Sequence, residues 1–239
     1  MNGSESLALD LRSIFNLKLH IKVLFTKMQF PNRHEAGKKL AEKLKKYKGK
    51  KDAIILGIPR GGVEVAFEAA KGLKVPLSVL VTKKIGYPSD PEFAIGAVGP
   101  GGHYKISEGY AAEAGQDYIK NTVKELSKEI GRRYKEYTKG KIPRLKNKIV
   151  ILVDDGLATG FTMMAAVEYA KSQKPKKIIV AVPVAAQDTF EKIRKSADQA
   201  ICLHMPVFFG SVGSFYRDFA QLEDEDVKSY LEAAKKLAH

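Results

Sequence analysis

Residues 148–163 read KIVILVDDGLATGFTM. An apolar run ends on two adjacent acids, Asp154 and Asp155. Small residues, glycines and threonines follow, and a helical pattern then resumes. Gly156 and Gly160 permit tight backbone turns. A loop that runs straight into a helix offers free N–H groups and the positive end of the helix dipole to an anion. Thr159 and Thr162 add hydroxyl donors. Carboxylates would repel that anion, so the two acids call for hydroxyls or a cation on the same ligand. A sugar phosphate supplies both, with its phosphate on the loop and its ribose diol on the carboxylates.

Three other readings compete. A glycosidase dyad needs two carboxylates flanking one bond about 5–9 Å apart. Adjacent strand residues point to opposite faces and are poorly placed for that. A Walker-B metal site would need a GxxxxGK[ST] loop, and the chain has none. An acidic turn capping a helix accounts for one aspartate but not for the whole octet.

The pattern around these residues dictates how they are positioned. DAIILGI (52–58), PLSVLVTK (76–83), KIVILVDD (148–155), KKIIVAVPV (176–184) and QAICLHMP (199–206) read as strands. Helices fit over 33–47, 62–73, 159–173, 188–197 and 224–238. Strands alternating with helices predict an α/β fold, a mostly parallel twisted sheet flanked by helices. In such sheets ligands bind at the carboxyl ends of strands. Three strand ends carry unusual residues: GIPRGG (57–62), TKK (82–84) and VDDGLATGFT (153–162). Residues 84–147 interrupt the rhythm with a Gly/Pro-rich stretch and then a long charged helix over 113–138. An insertion of that length reads as a lid or binding element.

The chain has 239 residues, enough for one sizeable core. Its formal net charge is +14. Lysines are spread along most helices beside glutamates, which suits a solvated surface, and no stacking-aromatic motif argues for nucleic acid. The excess charge would still draw in a small anionic substrate. The lone Cys202 cannot form an internal disulfide, which suits a reducing cytoplasm. The N-terminal apolar segment is interrupted by charges, so it reads as no membrane span. Within it Leu17–Val23 alternates like a half-exposed strand, an extra edge or a dimer contact.

The octet VDDGLATG resembles the phosphoribosyl diphosphate (PRPP) signature of type I phosphoribosyltransferases. GIPRGG is similar to the pyrophosphate loop of the xanthine–guanine enzymes. From about Phe30 onward the chain also resembles predicted phosphoribosyltransferases of undefined acceptor. The shared features are PRGG, PEFAIGAV, the charged insertion and a late FxSVGxFYxDF-like segment.

This resemblance implies a phosphoribosyltransferase fold over 30–239, with residues 1–29 as an extension and Met28 as an alternative start. It implies an Mg²⁺-dependent enzyme that moves the ribose 5-phosphate of PRPP to a nitrogen acceptor, purine-like by analogy. The alternative is a non-catalytic PRPP- or nucleotide-binding regulator. Asp154 and Asp155 would bind the ribose hydroxyls, directly or through Mg²⁺. Gly156, Leu157, Ala158, Thr159, Gly160, Phe161 and Thr162 would form the 5′-phosphate loop. Arg60, Gly61 and Gly62 would bind the diphosphate, with Lys83 or Lys84 reaching it from a neighbouring strand. Residues 85–103, which include Glu92, would close over the site. A hood at 205–227 would hold the base. Phe208, Phe209, Phe215 and Tyr216 are its stacking candidates, with one or two expected to line the site, and Asp218 or Glu223 its polar readers. The family implies a homodimer.

Overall fold

The computed structural model describes residues 29–237. The alternating segment 17–23 therefore lies outside the described residues. Five strands form one sheet: β1 (Ala53–Gly57), β2 (Leu77–Val79), β6 (Ile149–Val153), β7 (Lys177–Val184) and β8 (Gln199–His204). Their order is β2-β1-β6-β7-β8, with every pairing parallel. The register places Ile55, Ile151 and Ile179 side by side across the three central strands.

Those strands are continuously apolar because helices cover both faces. Ile55, Ile151, Val153 and Ile179 pack against Leu40, Val65 and Leu73. These come from helices α1 (Arg33–Lys43) and α2 (Gly61–Leu73). Leu56, Leu152, Val180 and Val182 face the other way, onto Met163, Val167, Phe190 and Ile193. Those come from α5 (Phe161–Ser172) and α6 (Gln187–Ser196). The predicted parallel sheet with helices on both sides is thus observed.

The insertion differs from its expected form. Residues 83–106 are a second, antiparallel sheet, with β3 (Lys83–Tyr87), β4 (Asp90–Val98) and β5 (Tyr104–Ile106) in that order. The predicted strand over 76–83 stops at Val79. The Val81 N–H then goes to the Tyr134 hydroxyl at 3.2 Å, the chain leaves the sheet, and Lys83 opens β3. The long helix is also divided. A short α3 (Glu108–Ala114) precedes α4 (Gln116–Thr138). Gly115 breaks them apart at φ +79°, a conformation that glycine adopts without penalty.

Buried Ile119, Ile130, Tyr134 and Tyr137 of α4 form a further core with Ile85, Ile95, Val227 and Leu231. The last two belong to α7 (Asp224–Leu237). No described helix is long and apolar enough to cross a membrane.

Candidate active site

The loops after β1 and β6 lie side by side, because those strands pair in register through Gly57 and Val153. Ile58 N–H donates to the Val153 carbonyl at 2.9 Å, and the Pro59–Arg60 peptide is cis. α2 begins at once, so Gly61 and Gly62 form its first turn against the acids. A Cβ on Gly62 would stand 2.7 Å from the Asp154 Cα and 2.8 Å from the Val153 carbonyl oxygen. A Cβ on Gly61 would collide with the Asp155 carboxylate and stand 3.0 Å from Arg33 Nε. Both glycines are therefore required by close approach.

The acids are held differently. Asp154 Oδ1 accepts from the Asp155 backbone N–H at 2.9 Å. The Asp155 carboxylate takes Arg33 Nε at 2.8 Å. Burial and the neighbouring Asp155 charge push the Asp154 carboxyl well up from its ordinary range. Burial also pushes Asp155 up, against the opposing pull of Arg33. Arg33 thus pairs with Asp155, while Asp154 has no ion-pair partner among the described residues.

Arg33 was not found by sequence reasoning. It is buried, at 6 % exposure, and its guanidinium stacks 3.7 Å above the Phe219 ring. Its Nη1 donates to the Ala220 carbonyl at 2.7 Å. One signal was available. Arg33 opens α1 just after the cap Asn32, and a cation at a helix N-terminus runs against the dipole. Such a residue calls for a partner elsewhere.

The phosphate-type loop is fixed from below. Leu157 N–H donates to the Val184 carbonyl at 2.9 Å, and Thr189 Oγ1 donates to the Ala158 carbonyl at 2.6 Å. A Cβ on Gly156 would meet Val212 at 2.6 Å. Gly160, at φ +74°, turns the chain into α5 and leaves that helix with no side-chain cap among the described residues. The first N–H groups of α5 are therefore available to an anion. Ala158 and Thr159 are exposed, while Phe161 and Thr162 are half-buried.

The structure sets the two lysines apart. Thr82 Oγ1 donates to the Thr162 carbonyl at 3.1 Å, which docks the start of β3 on α5. Lys84 shares that face by strand alternation. Its ammonium pairs with Glu92 at 2.7 Å. Lys83 points the other way, where burial and then Arg133 lower its pKa. Arg60 Nη1 pairs with Glu223 Oε2 at 2.6 Å.

In the hood, Phe208 is exposed and Phe209 half-buried. The stacking roles considered for Phe215 and Tyr216 need correction. Both rings are buried in a cluster with Phe30, Ala36 and Val184, so neither presents a face to a ligand. The Tyr216 hydroxyl instead donates to the Asp155 carbonyl at 2.6 Å. Asp218 is exposed. A cleft of about 490 Å³ between β4–β5 and α5 touches Phe161 but neither aspartate.

Comparison with known proteins gives a consistent picture. A family model described as a phosphoribosyl transferase domain matches residues 29–218. Two Mycobacterium tuberculosis proteins, from strains CDC 1551 / Oshkosh and ATCC 25618 / H37Rv, carry a provisional phosphoribosyl transferase name. Each is 38% identical over 211 residues, which is 87% of this chain and 47% of theirs. The chain thus spans about half the length of these curated relatives. The crystal structure of TT1426 from Thermus thermophilus superposes with a TM-score of 0.77 at 38% identity, over 85% of this chain and 98% of that one.

Proposed function

Because this chain belongs to the phosphoribosyl transferase family, we propose that it transfers the ribose 5-phosphate of PRPP to a purine-like nitrogen acceptor and releases diphosphate. One observation carries the reading. An uncapped glycine loop, a pair of half-buried aspartates and a glycine-tight Arg60 turn converge at the carboxyl ends of β1 and β6.

In this reading the backbone N–H groups of residues 158–162, with the Thr159 and Thr162 hydroxyls, hold the 5′-phosphate. Asp154 and Asp155 accept hydrogen bonds from the ribose diol. Arg33 and Tyr216 keep Asp155 in place. Arg60, with the Gly61–Gly62 backbone, meets the diphosphate, and Lys84 approaches it from β3. The C1–O bond breaks with its electron pair leaving on diphosphate. The acceptor nitrogen forms the new bond to C1 and passes its proton to the departing diphosphate. Negative charge grows on the leaving group, so Arg60 and Lys84 stabilise the transition state more than the ground state. The hairpin within 85–103 and the hood at 205–227 keep water from the cationic sugar. Phe208 and Phe209 offer the acceptor its stacking surface.

The site also fits Mg²⁺. Asp155 pairs with Arg33, and Asp154 beside it has no ion-pair partner among the described residues. Magnesium commonly uses one or two carboxylates together with substrate phosphates. Asp154 and Asp155 would hold it directly or through water, and it would supply charge neutralisation at the diphosphate. We further propose a cytoplasmic homodimer.

Calorimetry with PRPP and Mg²⁺, on wild type and an Asp154→Asn/Asp155→Asn double variant, tests the reading. Micromolar binding that disappears in the variant is expected, followed by diphosphate release with a purine. Failure of the wild-type protein to bind PRPP would overturn it.

A further inference from the structure

We infer that the end of the parallel sheet opposite the aspartate loop is a docking face for the phosphodiester backbone of a nucleic acid, without base readout. All five strands run the same way, so their starts share one end of the molecule. Lysines stand just ahead of four neighbouring strands. Lys74 precedes β2, Lys50 precedes β1, Lys146 and Lys148 precede β6, and Lys174 and Lys176 precede β7.

The loops that carry them touch. Gly49 N–H donates to the Leu73 carbonyl at 2.8 Å, and Lys148 Nζ to the Lys51 carbonyl at 3.3 Å. Lys176 N–H donates to the Lys148 carbonyl at 2.8 Å, and Asn147 N–H to the Lys174 carbonyl at 3.1 Å. With strands about 4.8 Å apart, four strand starts make a row roughly 14 Å long. All six lysines are exposed except Lys148, which is half-buried.

Ion pairing within this row is sparse. Several helix cations sit beside acids: Lys38 with Glu35, Arg132 with Glu129 and Glu136, Arg194 with Glu191. Among the described residues the one ion pair in the row is Lys176 with Asp52, at 2.8 Å. Lys50 acts on that same carboxylate and helps lower its pKa. Local pairing therefore leaves most of the positive charge in the row uncancelled.

An open row of this length suits a polymer of phosphates better than a small anion. A lipid surface fits less well, because stable membrane binding needs apolar insertion beside the charge. Of the exposed large hydrophobic side chains among the described residues, Met205, Val207 and Phe208 follow the far end of β8, and only Ile142 lies in a loop leading into the row.

Fluorescence anisotropy with a labelled duplex of about 25 base pairs, and with a single-stranded RNA of equal length, tests the inference on the full chain. Each contacted phosphate contributes about −0.9 to the slope of log affinity against log salt on duplex. Four to six contacts give a slope of about −4 to −5. The triple variant Lys50→Gln/Lys74→Gln/Lys174→Gln should weaken binding at least tenfold at low salt and flatten the slope by about two to three. The control Lys120→Gln/Lys124→Gln/Lys128→Gln removes the same charge from the exposed side of α4 and should stay within about twofold of wild type. Three results would overturn the inference. They are no binding by wild type at low salt, an equal loss in the control, or preferential binding to phosphatidylglycerol vesicles over both nucleic acids.

Discussion

At the residue scale the site turns on one contact between side chains 122 positions apart, Arg33 with Asp155. Removing Arg33 leaves a largely buried carboxylate beside another with no countercharge, which costs about 3 kcal/mol when a buried pair loses one partner. Arg33→Met should therefore lower the urea midpoint clearly. Adding Asp155→Asn should return part of the loss, since the stranded charge goes with it. An Arg33→Met protein as stable as wild type would mean that the pair holds nothing. Gly61→Ala should be damaging for the same reason, because its Cβ enters the space of the Asp155 carboxylate and Arg33 Nε. Loss of PRPP affinity with a stability cost of about 1–3 kcal/mol is expected. The octet at 153–160 was legible in the sequence because its requirements are local: a strand end, tight turns and a helix start. Arg33 was not, because its partner is supplied by the fold and its neighbours Lys38 and Lys39 read as an ordinary solvated helix.

At the scale of elements, the hood and the β1–α2 turn meet through Arg60 and Glu223. Glu223 is more than half exposed, so the pair contributes little to stability. Its consequence lies in binding. A diphosphate that uses Arg60 must displace the Glu223 carboxylate. Glu223→Gln removes that competitor and should lower the KM for PRPP about two- to fivefold, the range expected of about 0.5–1 kcal/mol. Its Tm should hardly move. A raised KM would instead make Glu223 part of the binding surface. Element types were read correctly for the parallel sheet, because a strand buried on both faces leaves a continuous apolar run. The 76–83 strand was overextended for the same reason. Leu80 and Val81 are apolar and buried, yet the Val81 N–H is satisfied by Tyr134 from α4 rather than by a strand. Leu80 still donates its N–H to the Gly57 carbonyl of β1 at 3.1 Å, so it is at Val81 that burial continues without strand pairing, and an apolar run alone cannot separate the two.

At the scale of the whole molecule, the parallel sheet divides the protein into two ends with different electrostatics. The strand ends carry the aspartates and the uncapped helix. The strand starts carry lysines from four adjacent loops. The sequence concealed this, because those lysines are far apart in the chain and only the strand order β2-β1-β6-β7 aligns them. The arrangement has a cost that salt reveals. Neighbouring columns of the row lie well within the ~10 Å Debye length at 0.1 M salt, so their repulsion is unscreened in dilute buffer. Added salt also weakens the helix pairs, but those surface pairs contribute only about 0.3–0.5 kcal/mol each at i,i+4 spacing. At a net charge of +14 the repulsion should prevail. Raising NaCl from about 20 mM to about 300 mM should then increase Tm by about 2–4 °C, equivalent to roughly 1 kcal/mol for a chain of this size. In the Lys50→Gln/Lys74→Gln/Lys174→Gln variant the dilute-buffer Tm should already be higher and the rise with salt smaller. A wild-type Tm that falls as salt is added would mean that the helix pairs outweigh the row, and that the positive charge is balanced across the surface rather than gathered at one end.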